Sequence, residues 1–231
     1  MTGGRDVDFG DAAQQEKLKG VFRSFLRNGG EQALLNPRIL SSVAMLALLL
    51  QGCAFLGGGT PALDTYELSA PTPKDGPRHP RLQVLIVEPS ALKALDGQNI
   101  VVRPAPGVIE YLKGAQWADR LPRVVQARLA DAFQKSGRFG GVGKPGEGLA
   151  IDYRVIVDIR AFDVMVGQDN QANVVLFVRV LNDRNGEVKA SRTFQTSAPV
   201  SGSGNDSYVA ALNTAFGQAA SEIVRWSASV I

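Results

Sequence analysis

Cysteine and histidine are almost missing from this chain: each occurs once, as Cys53 and His79. A single cysteine excludes an internal disulfide. A single histidine with no second ligand beside it makes neither a zinc site nor a Ser-His-Asp arrangement. Neither sign of charge is in excess, with 25 Lys and Arg against 22 Asp and Glu and a net charge of +3. The two signs are interspersed, so no basic stripe marks a nucleic-acid surface. Long apolar runs are lacking too. Ile39 to Leu50 runs for twelve residues without a charge, well short of the roughly 20 that cross a hydrocarbon core.

What that short run does resemble is the apolar region of a secretory signal, with Arg38 before it and a processing site after it. The processing site is Leu50-Gln51-Gly52-Cys53: a branched apolar residue three before the cysteine and a small residue just before it. A bacterial lipoprotein signal peptidase reads this pattern. The expectation is a diacylglyceryl thioether on Cys53, cleavage before it, and acylation (palmitate or similar) of the new N-terminus. Such chains anchor stably, at about 0.8 kcal/mol per buried methylene. Residues 1–52 are therefore expected to be a cleaved signal with an over-long lead. That lead mixes Asp6, Asp8, Asp11 and Glu16 with Lys17, Lys19, Arg23 and Arg27. Two accounts fit it: translation beginning nearer Val21 or later, or a cytoplasmic lead discarded with the signal.

After Cys53, the stretch Ala54-Phe55-Leu56-Gly57-Gly58-Gly59-Thr60-Pro61 reads as a flexible tether. Pro71 to Pro80 is a second proline-rich stretch, beyond Tyr66-Glu67-Leu68, and cannot be helix interior. Residues 53–81 are expected to be anchor and tether, and 82–231 a single periplasmic domain, large enough to fold without disulfide or metal.

Within that domain, Leu82 to Val87 and Ile100 to Arg103 read as strands bounded by proline, with a less regular third at Val108 to Leu112. From Trp117 to Ser136 the apolar positions Leu121, Val124, Val125, Leu129, Ala132 and Phe133 recur at helical spacing. Pro122 fits only the first turn of that helix, and Gly137 stops it. Ile151 to Ile159 alternates with Asp152, Arg154, Asp158 and Arg160, a strand with one wet face. Gly167 to Gln171 turns the chain into the more uniformly apolar Val174 to Leu181. Asn185-Gly186 is a hairpin signal leading into Val188, Ala190 and Phe194. A last helix follows, capped by Asn205 or Asp206, with the stripe Val209, Leu212, Phe216, Ala219, Ala220, Ile223 and Val224. The predicted fold is α+β: a mostly antiparallel sheet with two amphipathic helices on one face.

Several motifs imitate chemistry. Gly137 to Pro145 has the glycine content of a phosphate loop but the wrong spacing, and Pro145 stands where a Ser or Thr should bind magnesium; it reads as a loop between helix and sheet. Asp152, Asp158 and Asp163 share one strand with Arg154 and Arg160 and read as a solvated charged face. Asn205-Asp206-Ser207 matches a glycan acceptor but reads as a helix cap. No catalytic residue, metal site or cofactor is expected. Trp117 and Trp226, each at the end of a predicted helix, close the core or meet a partner. Together with Tyr66 they are the candidates for partner or lipid contact. The two-sided apolar strand Val174 to Leu181 points to self-association or docking.

The order of these pieces resembles a known family. The carriers are the Cys53 site, Tyr66-Glu67-Leu68, Val84 to Pro89, Ile100 to Arg103, Gln116-Trp117-Ala118-Asp119, Asp152 to Val155, and the closing Ala220 to Trp226. They resemble the auxiliary lipoproteins of ABC-type lipid transporters (PqiC-like), which accompany a permease, an ATPase and an MCE-domain (mammalian cell entry) protein. The resemblance implies a non-catalytic periplasmic subunit handling phospholipid or another hydrophobic cargo. Ala54 after the lipidated cysteine implies the outer membrane rather than the inner. The competing expectation is a structural or secretion-associated outer-membrane lipoprotein that does not move lipid.

Overall fold

The computed structural model describes residues 62–231 apart from Leu149 and Gln168. The expected signal, the Cys53 lipid site and the chain as far as residue 61 lie outside the described residues. The elements are β1 (Asp64–Tyr66), β2 (His79–Ile86), β3 (Ser90–Ala91), β4 (Asn99–Arg103), β5 (Glu110–Trp117), α1 (Leu121–Ser136), β6 (Phe139–Gly143), β7 (Tyr153–Met165), β8 (Gln171–Asn182), β9 (Val188–Pro199) and α2 (Asn205–Val230).

β7 is the spine of one mixed sheet. Along one edge it pairs antiparallel with β8 over its full length, and β8 pairs antiparallel with β9. Its other edge is shared by three short parallel strands set end to end: β2 at Tyr153 to Val155, β3 at Asp158 and Ile159, and β4 at Asp163 to Met165. Pro89 and the turn closed by the Leu95 N–H on the Leu92 carbonyl (2.8 Å) divide what would otherwise be one long strand. Beyond β2 lies β6; beyond β4 lie β5 and then β1. The long ladders are antiparallel and the parallel pairings short, so the fold is α+β as the pattern predicts.

Both helical stripes are buried as their spacing requires. α2 lays Val209, Leu212, Phe216, Ala219, Ala220, Ile223 and Val224 against β7, β8 and β9; the buried Thr196 hydroxyl donates to the Ala215 carbonyl at 2.8 Å. α1 packs Leu121, Val124, Val125, Leu129, Ala132 and Phe133 against β2, β6 and α2. Gly137 ends α1 with φ 61°, the left-handed conformation that glycine adopts most readily. One continuous core results, threaded by aromatic contacts from Trp117 to Phe162 (5.8 Å) and from Phe162 to Phe216 (6.1 Å).

Five expectations change. Trp117 ends β5 rather than opening α1: its N–H donates to the Gln98 carbonyl (2.7 Å), and the next N–H, of Ala118, to the Tyr66 carbonyl (2.8 Å). Those donors are spent on the sheet, and α1 waits until Leu121. The chain joins the fold well before Leu82, since β1 pairs with β5 and Leu68 is buried. From there residues 69–79 run along α2 as a strap, the Ser69 N–H donating to Asn213 and the His79 ring meeting the Ala228 carbonyl at 2.7 Å. The glycine-rich stretch after α1 is strand β6, not a loop. Gly140 approaches β2 so closely that a Cβ there would lie 2.2 Å from the Pro80 carbonyl oxygen. The β8–β9 hairpin forms where Asn185-Gly186 signals it, but its turn takes in Asp183 and Arg184 as well, with Gly186 at φ 73° and its N–H donating to the Asn182 carbonyl (2.9 Å). Finally, neither Asn205 nor Asp206 caps α2, whose N-cap is Gly204. Both reach across to other elements instead: Asn205 donates to the Lys113 carbonyl (3.1 Å), and Asp206 accepts from Tyr66.

Candidate functional site

The three aromatic candidates have different fates. Trp117 is 1% exposed, edge-on to Phe162, and presents no surface in this fold. Trp226 is half-buried in the last turns of α2, edge-on to Phe194 at 5.4 Å. It forms one wall of an open cleft of about 440 Å³ completed by Arg192, Glu222, Arg225 and Ser229. The Arg192 guanidinium sits 5.0 Å from the Phe194 ring centroid. Tyr66 is half-buried at the end of β1, and its hydroxyl donates to Asp206 Oδ1 at 2.6 Å. That bond, with burial and the nearby carboxylates of Asp206 and Asp64, pushes the phenol up to about 12. The fold thus uses Trp117 for the core and Tyr66 to tie β1 to α2, and leaves Trp226 on an accessible surface.

A broader surface lies on the face of the sheet away from α2. On β8, Ala172, Val174, Leu176, Val178 and Val180 are buried under the helix, while Val175, Phe177 and Leu181 point the other way and are half-buried. The two-sided apolar pattern is resolved: one side is core, and among the described residues no helix covers the other. Register places Phe177 between Asp158 and Thr193, Val175 between Ala161 and Gln195, and Leu181 between Arg154 and Val188. Arg160 lies over the Phe177 ring at 4.2 Å and reaches Asp158 at 3.5 Å. Apolar rings and branches flanked by arginines, on an extended sheet, form a surface suited to another macromolecule rather than to a small substrate. The sequence shows the apolar residues but not which side of β8 the helix takes, because both sides read alike.

The carboxylates Asp152, just before β7, and Asp158 and Asp163, within it, are separated by their ion pairs and do not form an acid–base set. Asp152 accepts from the Gln83 N–H (3.0 Å) and from Arg184 (2.6 Å), which together hold its carboxyl below the usual range against the opposing effect of burial. Arg154 pairs with Asp183 instead. Asp158 takes Arg160 and the Ser90 hydroxyl (3.2 Å). Asp163 departs from the expected wet face: it is 1% exposed and held by Arg103 Nε at 2.8 Å. A bulge between Ile159 and Ala161 moves the core-facing set from Val155, Val157 and Ile159 to Phe162 and Val164, so Asp163, opposite Asn173, lies on the side of Val175 and Phe177 and is buried there beside Arg103. No sequence signal marks that bulge. His79 stacks on Phe139 with centroids 6.2 Å apart, a structural role. Among the described residues no three His, Cys, Asp or Glu side chains are grouped to hold a metal.

Comparison with known proteins places this architecture. The crystal structure of protein XCC0632 from Xanthomonas campestris superposes with a TM-score of 0.66 at 28% identity, covering 72% of this chain and 95% of that one. A second crystal structure, of an uncharacterised protein, matches with a TM-score of 0.59 at 16% identity over 72% of this chain and 99% of the other, a likeness of fold alone. A Bradyrhizobium diazoefficiens protein, bll6063, also uncharacterised, is 33% identical over 177 residues, 74% of this chain. The chain spans about half the length of that curated relative, 47%. The family model for the ABC-type transport auxiliary lipoprotein component matches residues 66–224, from the end of β1 to the core-facing stripe of α2. The chain belongs to the family of ABC-type transport auxiliary lipoprotein components.

Proposed function

We propose that this protein is a lipid-anchored, non-catalytic subunit of an ABC transport system that moves phospholipid or a similar hydrophobic cargo across the envelope beside an MCE-domain protein. Family membership over residues 66–224 carries the reading. The anchor is Cys53, acylated after removal of residues 1–52, and Ala54 directs the protein to the outer membrane. The subunit docks its partner through the helix-free face around Phe177, Val175, Leu181 and Ile156, a half-buried apolar patch on one extended surface. Support for a non-catalytic role comes from Asp152, Asp158 and Asp163, each of which is engaged by an arginine or a backbone donor rather than left to act on a substrate.

The test is purification of the full protein from native membranes through a tag after Ile231, with mass spectrometry of proteins and lipids retained. Recovery of an MCE protein with its permease and ATPase, and of phospholipid in stoichiometric amount, is expected. Recovery of the lipoprotein with secretion components, or alone, contradicts the transport reading and leaves only the anchor.

A further inference from the structure

The exposed apolar residues are unevenly placed. The β4–β5 hairpin turns through Pro104-Ala105-Pro106-Gly107-Val108-Ile109, six residues without a charge, and everything from Pro104 to Tyr111 is exposed. Val108 is 43% exposed, Ile109 42% and Tyr111 46%. Met165, at 52%, ends β7 at this same level, since it pairs with Arg103 just before the turn. A soluble hairpin ordinarily carries polar residues at its tip, where nothing compensates the exposure of branched apolar side chains.

The chain also enters from this side. β1 runs parallel to β5 and begins opposite Ala115. The residue before it, Leu63, is 49% exposed and continues toward the hairpin end. Leu63 is ten residue steps from Cys53, and at about 3.3–3.6 Å each they reach no further than about 35 Å. With the hairpin toward the bilayer, roughly four residues of strand, about 13 Å, separate the entry point from the tip. With the domain inverted, about nine residues of β7, roughly 30 Å, would have to be spanned before any headgroup or loop is counted. That leaves the connecting chain almost no slack.

We infer that the β4–β5 tip, Pro104 to Ile109 with Tyr111 and Met165, rests in the lipid surface to which Cys53 is anchored and fixes the orientation of the domain. The inference rests on the lipid-anchor reading above. Contact at this end leaves the Phe177 face standing away from the membrane plane. The occupant is a bilayer rather than a protein because the turn from Pro104 to Ile109 has no charged residue for pairing, Arg103 and Glu110 standing only at its base, and the anchor holds it at lipid depth.

The test uses the full lipidated protein, in which an introduced cysteine is the sole free thiol. Ile109→Cys, and Val188→Cys at the opposite end of the sheet, are each labelled with a polarity-sensitive fluorophore. The proteins are reconstituted in vesicles of phosphatidylethanolamine and phosphatidylglycerol containing nitroxide-labelled lipid. The mass of the N-terminal peptide reports acylation separately. The expected result is blue-shifted emission and several-fold stronger quenching at position 109 than at 188. Equal, water-like emission at both positions on an acylated protein overturns the inference while the anchor stands. An N-terminal peptide without acyl chains overturns the anchor reading, and the inference with it. Shielding at 109 that needs transporter subunits and is missing on lipid alone assigns the tip to a protein and overturns the bilayer contact.

Discussion

Arg103→Met is predicted to be among the most damaging single changes in the domain, although the arginine side chain is 30% exposed. Its guanidinium holds Asp163, which is 1% exposed, at 2.8 Å, and the other carboxylate oxygen of Asp163 is buried without a hydrogen-bond partner. Removal of the arginine leaves a buried carboxylate with no counter-charge, a situation that costs about 3–5 kcal/mol. Water entering where the side chain stood moves the figure toward the lower end, about 3 kcal/mol. For a domain of this size that corresponds to a fall of roughly 6–12 °C in Tm. The double variant Arg103→Met with Asp163→Leu removes both charges and is expected to return to within about 1 kcal/mol of wild type, since replacing a buried pair by apolar groups is close to neutral. Urea unfolding of residues 62–231, followed by the fluorescence of Trp117 and Trp226, measures all three proteins. An Arg103→Met protein within about 0.5 kcal/mol of wild type, the range of an ordinary surface change, refutes the reasoning. So does a double variant no more stable than the single one. The pair also sits at the root of the β4–β5 hairpin, where the Val166 N–H donates to the Arg103 carbonyl at 3.0 Å, so its loss loosens the tip first.

Further outcomes follow from the same contacts. Gly140→Ala drives a methyl into the Pro80 carbonyl (2.2 Å) and is expected to destabilise by about 2–3 kcal/mol through overpacking; Gly141→Ala meets only the flexible Gln83 side chain at 3.3 Å and is expected to cost clearly less in the same urea titration. Tyr66→Phe loses the bond to Asp206, about 1 kcal/mol. Because the folded phenol is raised to about 12, the difference between wild type and Tyr66→Phe is full below pH 10 and disappears as the pH climbs toward 12, which stability measurements across that range check. Asp152→Asn removes a carboxylate whose folded pKa is depressed by the Gln83 N–H and Arg184. Its stability deficit is therefore present above the unfolded carboxylate value of about 4 and closes as the pH falls below it.

Much of this fold is legible in the sequence because two periodicities survive in it. The stripes of α1 and α2 and the alternation of Val155, Val157 and Ile159 are local facts, set by 3.6 and 2 residues per repeat, and they locate the helices and the β7–β8–β9 meander. The rest depends on contacts between distant segments. Trp117 sits beside a helix start in sequence, yet its N–H is taken by Gln98 and its ring by Phe162. Gly140 looks like loop punctuation until Pro80 is placed against it. Asp163 looks solvated until Arg103 of the neighbouring strand β4 is placed against it. Asn205 and Asp206 have the chemistry of caps, but Lys113 and Tyr66 compete for them. The site is half visible in the sequence: the apolar residues of β8 are legible, and Trp226 reads as closing the core or meeting a partner, whereas the bare side of β8 and the place of the hairpin tip emerge only when strand register is known.

The central claim is that this lipoprotein docks its transport partner through the helix-free sheet face, and photo-cross-linking in intact cells tests it most directly. A photoreactive amino acid replaces Phe177, half-buried on that face, or Leu92, 78% exposed in the turn before β4. The account predicts a cross-link from position 177 to the MCE-domain subunit and none from position 92. A cross-link to that subunit from 92 alone, or none from 177 while the transporter is present and assembled, contradicts it.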